Sequence, residues 1–129
     1  MSTDLLFAYG TLMRGFRLHA LLAGRAEYVG AGRVEGQLFD LGAYPAAVSG
    51  SHGTIAGEIY RIADSSLWAL LDSAEGPQYH REEVAVERSD GGCAVACIYW
   101  YGGALRGVPI PGGDYRAHAP ARSIHHPRP

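Results

Sequence analysis

Glu75 is the side chain in this sequence best suited to moving protons. It follows Leu67, Leu70, Leu71 and Ala74, whose i, i+3, i+4, i+7 spacing predicts a helix with Asp64 or Ser65 as N-cap, and Gly76-Pro77 ends that helix directly after it. A carboxylate at a helix C-terminus faces the negative end of the macrodipole, so its proton affinity rises. If it also faces a pocket and is partly desolvated, it can act as general base and general acid. Upstream, Tyr9-Gly10-Thr11-Leu12 lies where an apolar run breaks into a turn. A glycine there lets successive backbone N–H groups point into a cavity, a nest for a carboxylate or an oxyanion. Arg14, in the same turn, is a candidate to meet a substrate carboxylate, and Tyr79 and Arg81 come just after the helix. Each feature also has a plain reading: a strand-ending turn, a solvated glutamate, a solvated arginine, and a strand-opening aromatic with a charged edge. His19, His52, His80, His118, His125 and His126 show no zinc spacing, so no metal site is read.

The elements that must carry these residues are mostly strands. Asp4 to Tyr9 is almost continuously apolar, as a strand buried on both faces would be, and Gly10 through Gly15 is a turn. Leu18, Leu21 and Leu22 have helical spacing and are stopped by Gly24, which predicts a short helix. From Ala26 to Leu41 glycines punctuate apolar and β-branched residues, predicting one or two kinked strands with bulges. Ser49 to Gly53 reads as a polar loop and Thr54 to Ile62 as a strand. Arg81 to Arg88 and Cys93 to Tyr101 flank Ser89-Asp90-Gly91-Gly92, a strong hairpin signal. After Gly102 the chain is rich in Gly and Pro without a period, and His118 to Pro129 reads as an exposed tail, leaving one domain over residues 1–117. Five or six strands and two short helices argue for a mainly β domain, a small closed or highly curved antiparallel or mixed sheet with helices over its openings.

Composition narrows the partners. With 129 residues, 47% hydrophobic and 19% charged, the chain suits a single globular domain. Eleven basic against 13 acidic side chains, spread along the sequence for a net charge of −2, give no footprint for nucleic acid or an anionic membrane. The apolar runs are far shorter than the roughly 20 residues of a membrane span, and no basic-then-apolar leader opens the chain, so the cytoplasm is the expected compartment. Cys93 and Cys97 lie about 13 Å apart along a predicted strand. A disulfide needs Cα atoms within about 7 Å, so they cannot bridge each other and read as small buried apolar residues.

Taken in order, Tyr9-Gly10-Thr11-Leu12 with Arg14-Gly15, Tyr44-Pro45, Gly57-Glu58-Ile59-Tyr60, Leu71-Asp72-Ser73-Ala74-Glu75-Gly76 with Tyr79 and Arg81, and Gly113-Asp114-Tyr115 resemble the gamma-glutamylcyclotransferase-like family from about Leu5 to Tyr115. The resemblance implies an α+β fold, a small barrel-like mixed β-sheet of about six or seven strands with short helices. It implies that Tyr9, Gly10, Thr11 and Leu12 line a glutamyl pocket, that Glu75 is the catalytic acid and base, and that Tyr79 and Tyr115 are pocket residues. The implied reaction needs no cofactor: the substrate's own α-amine attacks its γ-carbonyl, releasing 5-oxoproline and an amine or amino acid. Ser73-Ala74 stands where relatives commonly carry a bulkier residue, and a single residue separates Pro77 from Tyr79, so the leaving-group side of the pocket is expected to have its own shape. The expected partner is a small gamma-glutamyl compound, with a non-catalytic module binding a small ligand in the same pocket as the alternative. Neither the amine half of the substrate nor an oligomeric state follows from the sequence.

Overall fold

A computed structural model of the chain describes residues 3–42, 44–50, 53–104 and 107–118. Among them run the strands β1 (Leu5–Ala8), β2 (Ala26–Glu35), β3 (Gln37–Asp40), β4 (Pro45–Val48) and β5 (Thr54–Ile62), the helix α1 (Leu67–Glu75), β6 (Tyr79–Arg88), β7 (Cys93–Tyr101), β8 (Val108–Pro109) and the short helix α2 (Tyr115–His118). Five strands close a barrel in the order β1-β5-β2-β6-β7, and β4-β3-β8 form a second, three-stranded sheet. All barrel pairs are antiparallel except β1 with β7, which meet in parallel at Leu6 and Cys97 and make the sheet mixed. No helix among the described residues is long and apolar enough to cross a membrane.

Period-two alternation explains the core. Phe7 pairs with Ile59 across β1 and β5, and Val86 and Ile59 both press on Gly32 of β2, so these side chains fill the barrel interior. The opposite face of β7 is buried as well, because α1 lies over it: the Tyr99 hydroxyl donates to Asp72 of the helix. Packing on both faces accounts for the near-continuous apolar character of β1 and β7.

The predicted strands at 54–62 and 93–101 match β5 and β7, and β6 begins at Tyr79 rather than Arg81. The glycine-punctuated stretch divides at Gly36 into β2 and β3, with a register shift between Tyr28 and Gly30. Three expectations are corrected, for the short helix after the first turn, the N-cap of α1 and Cys93. The segment around Leu18 to Leu22 forms only a 3-10 turn, His19–Leu21, because the span between Gly15 and Gly24 is too short to repay helix nucleation. On α1 only Leu67 and Leu71 are buried; Leu70 and Ala74 are exposed, since the helix touches the barrel along a narrow seam. Its N-cap is Ser66, and Asp64 instead accepts hydrogen bonds from the Ser66 amide and hydroxyl in the preceding turn. Cys97 is buried, but Cys93, at the hairpin end of β7, is exposed.

β4 was not legible as a strand: Pro-Ala-Ala-Val has little β propensity, and it is held by pairing to β3 at a sheet edge, where a proline is tolerated. β8 lies in the Gly- and Pro-rich stretch expected to lack regular structure. His118, expected to open the tail, ends α2, and its Nε2 lies 2.8 Å from Asp40 Oδ2. The rest of that tail, with His125 and His126, and His52 of the polar loop lie outside the described residues.

Candidate active site

Glu75 is the last residue of α1, and Gly76, at φ 93°, turns the chain away in a backbone region that favours glycine. What aims it is an anchor one turn earlier. Asp72 takes a forked pair of hydrogen bonds from Arg81, Nε at 3.0 Å and Nη2 at 3.1 Å, and a third from Tyr99 Oη at 2.6 Å. The Arg81 guanidinium also lies over the Trp68 ring, 4.7 Å from its centroid. Together these contacts clamp α1 to β6 and β7. Glu75 itself is half-buried, and its carboxyl is pushed up to about 7, first by burial, with Arg17 opposing the rise. Burial, more than position along the helix, carries the rise expected from the sequence.

The first turn comes to Glu75 from β1. Tyr9 is buried, and its hydroxyl donates to the Tyr99 carbonyl at 2.6 Å. Gly10 packs so closely on Pro45 that a Cβ there would sit 2.5 Å from Pro45 Cγ, which is why this position needs glycine. The Gly10 carbonyl accepts from the Met13 N–H at 3.0 Å and the Thr11 carbonyl from the Leu18 N–H at 2.8 Å. Those bonds hold the turn through its carbonyls, while among the described residues the N–H groups of Gly10, Thr11 and Leu12 have no acceptor. Tyr79 closes the other side: its hydroxyl donates to the Pro45 carbonyl at 2.8 Å, and its ring packs edge-on against Tyr44 and Tyr101. Burial and then the Glu75 charge raise both the Tyr9 and the Tyr79 phenols, so both remain protonated donors.

Two cavities meet at these residues. The inner one, about 30 Å³, is lined by Tyr9, Gly10, Leu12, Pro45 and Tyr99 among others; the outer, about 420 Å³, is lined by Arg17, Leu18, Pro77, Gln78 and Tyr79 among others. Thr11, Tyr44 and Glu75 line both, so the carboxylate stands at the neck. The inner end admits only a group the size of a carboxylate or an ammonium, and the outer basin has the volume of a small-molecule site.

Of the residues singled out from the sequence, Tyr9, Gly10, Thr11, Leu12, Glu75 and Tyr79 are brought together here. Arg14 is not. Its N–H donates to Glu58 Oε1 at 3.0 Å, its guanidinium lies 3.5 Å from Glu58 Oε2, and it covers the Tyr28 ring at 4.1 Å. Glu58, 5% exposed, also accepts from Tyr60 Oη at 2.8 Å and Arg116 Nη2 at 2.9 Å, which ties α2 to the first turn. Burial would raise the Glu58 carboxyl, but the Arg14 amide, Tyr60 and the two guanidinium groups outweigh it and hold it below its ordinary value. Tyr115 is buried against Phe16, ring centroids 5.3 Å apart, within electrostatic reach of Tyr79 but lining neither cavity. Sequence reasoning missed Arg17, Tyr44 and Tyr99 as lining residues, and the anchoring role of Asp72. The alternation of β7 marks Tyr99 as sharing a face with Cys97, but no local signal distinguishes Arg17 from other surface arginines.

Comparison with known proteins places the arrangement in a wider group. A family model described as "Gamma-glutamyl cyclotransferase, AIG2-like" matches residues 6–117. YkqA of Bacillus subtilis, named only provisionally as a gamma-glutamylcyclotransferase, is 34% identical over 119 residues, which is 89% of this chain and 42% of that protein. The chain therefore spans less than half the length of that relative. The YkqA crystal structure superposes with a TM-score of 0.78 over 98% of this chain and 44% of that one, at 30% identity. The Pyrococcus horikoshii protein PH0828 gives a TM-score of 0.76 at 30% identity, covering 98% of this chain and 100% of that one. A mouse AIG2-like protein has the same fold at 23% identity, with a TM-score of 0.75 over 95% of this chain and 94% of that one.

Proposed function

The chain belongs to the gamma-glutamyl cyclotransferase, AIG2-like family, and from that premise we propose that it cyclises a gamma-glutamyl group to 5-oxoproline, with release of an amine or amino acid. The observation that carries this reading is the position of Glu75 at the neck between a narrow inner cavity, bordered by amides that have no acceptor among the described residues, and a wide outer basin. The glutamyl head group enters the inner end, where the Gly10, Thr11 and Leu12 amides supply donors and the Tyr9 phenol oxygen, whose own proton is given to the Tyr99 carbonyl, offers an acceptor. The leaving group occupies the outer basin, and the γ-carbonyl lies between them beside Glu75.

Attack requires a neutral amine, and an α-amino group with a pKa of about 8 is mostly protonated at neutral pH. As carboxylate, Glu75 takes a proton from the attacking nitrogen; the N–C bond to the γ-carbon forms; the bond to the departing nitrogen breaks as Glu75 hands the proton to it. The second proton lost by the ammonium is matched by the one the released amine takes from solvent. A carboxyl near 7 suits both directions of transfer, since each form is well populated at neutral pH. Ring closure is intramolecular, so a pocket that holds one conformer supplies much of the rate.

The test is incubation of the protein with a panel of gamma-glutamyl amines and dipeptides, with 5-oxoproline followed by mass spectrometry. Release that falls at least about 100-fold in Glu75→Gln, with ligand binding retained, is expected for an acid and base. Binding without release in the wild-type protein would reduce the pocket to a small-ligand binding module.

A further inference from the structure

Among the described residues the outer basin has one cation in its lining, Arg17. Its backbone is fixed on both sides: Phe16 N–H donates to the Met13 carbonyl at 3.0 Å, and Leu18 N–H to the Thr11 carbonyl at 2.8 Å. Its side chain is exposed and forms no hydrogen bond or ion pair with any described residue. The other described arginines near the site are committed: Arg14 and Arg116 to Glu58, and Arg81 to Asp72. Arg17 instead stands at the mouth, close enough to Glu75 to oppose the rise in its proton affinity, and absent from the lining of the inner cavity.

Resting on the cyclotransferase reading above, we propose that Arg17 selects the leaving group, favouring gamma-glutamyl amino acids, whose departing half carries a carboxylate, over gamma-glutamyl amines that lack one. A leaving group extends from the γ-amide nitrogen at the neck into the basin that Arg17 borders, and a guanidinium pairs with a carboxylate through two parallel hydrogen bonds. Glu75 is the basin's one acidic side chain among the described residues, so there a cationic amine meets no other carboxylate than the group that performs the proton transfer. The glutamyl α-carboxylate has its own donors in the amides at the inner end, which leaves Arg17 to the other half of the substrate. Being exposed, the contact weakens as salt is added.

The test uses gamma-glutamyl-alanine and gamma-glutamyl-ethylamide, which differ only by the alanine carboxylate. The ratio of their kcat/KM values cancels any change in Glu75 common to both. The expected wild-type ratio favours gamma-glutamyl-alanine, and in Arg17→Gln it falls by about tenfold, the scale of one lost charge-assisted contact at a partly exposed site. Added salt lowers the wild-type ratio and leaves that of Arg17→Gln nearly flat. A wild-type ratio near one, or a ratio unchanged in Arg17→Gln, overturns the proposal; equal slowing on both compounds assigns Arg17 to the glutamyl half or to Glu75. Should neither compound be turned over, the cyclotransferase reading fails by itself. The same ratio is then read from dissociation constants by calorimetry, where its loss in Arg17→Gln sustains carboxylate selection and its persistence refutes it.

Discussion

Replacing Glu75 by glutamine should make the protein more stable, and by an amount that depends on pH. In the folded chain burial moves the Glu75 carboxyl from an ordinary 4.5 to about 7. Below 4.5 the side chain is neutral in both folded and unfolded states, so it neither favours nor opposes folding. Between 4.5 and about 7 the unfolded chain ionises while the folded one holds its proton, so the unfolded state gains and stability falls as pH rises. Above that window the deficit is constant. At about 1.4 kcal/mol per pH unit, a rise from 4.5 to about 7 gives a ceiling of about 3 kcal/mol, an upper bound because the group is only half-buried. Glutamine has nearly the same shape and never ionises, so it escapes the deficit. The assay is urea unfolding of wild-type and Glu75→Gln protein at half-unit steps from pH 4 to pH 8. The expected difference is near zero at pH 4, grows through the window, and levels off in favour of the variant by up to about 3 kcal/mol above pH 7.5. A difference that stays flat across the series would mean that Glu75 titrates as an ordinary surface carboxylate, and the argument that burial prepares it for proton transfer would fail. Coupled to loss of 5-oxoproline release, the gain would be an instance of stability given up for function.

Two further substitutions probe the frame around the site. Gly10→Ala drives a methyl group into Pro45, and we expect a loss of about 1–3 kcal/mol, measured by urea unfolding, with weakened ligand binding because the amide turn must shift. Glu58→Gln removes the charge that Arg14 and Arg116 share and should destabilise the protein by about 1–3 kcal/mol at pH 7. The folded Glu58 carboxyl lies below its ordinary 4.5, so this contribution is present above 4.5 and disappears as pH falls through the folded value. An effect of Glu58→Gln that is unchanged at pH 3 would rule out charge as its source.

Much of the local architecture follows from the sequence because its causes are local. Alternation over residues 54–62 and the apolar run 93–101 after the turn at residues 89–92 select strands, the i, i+3, i+4 leucines select α1, and Gly76-Pro77 ends that helix directly after Glu75. The glycine at position 10 and the order of the short motifs point to the family without any knowledge of contacts. Barrel closure decided the rest. Leu6 meets Cys97, and Tyr9 meets Tyr99, only because β1 returns in parallel beside β7; the same register brings Asp72, Arg81 and Tyr99 together behind Glu75. Arg14 and Arg17 lie in one turn, have the same chemistry and look alike in sequence, yet Arg14 faces the buried Glu58 while Arg17 faces the open basin. Their directions depend on a turn held by its carbonyls and on a carboxylate of β5 that the sheet carries beneath it. Periodicity and turn chemistry therefore determine the elements and the residue types they present, whereas the side on which each charge finds its partner is set by sheet register, which brings together residues that are distant in the chain.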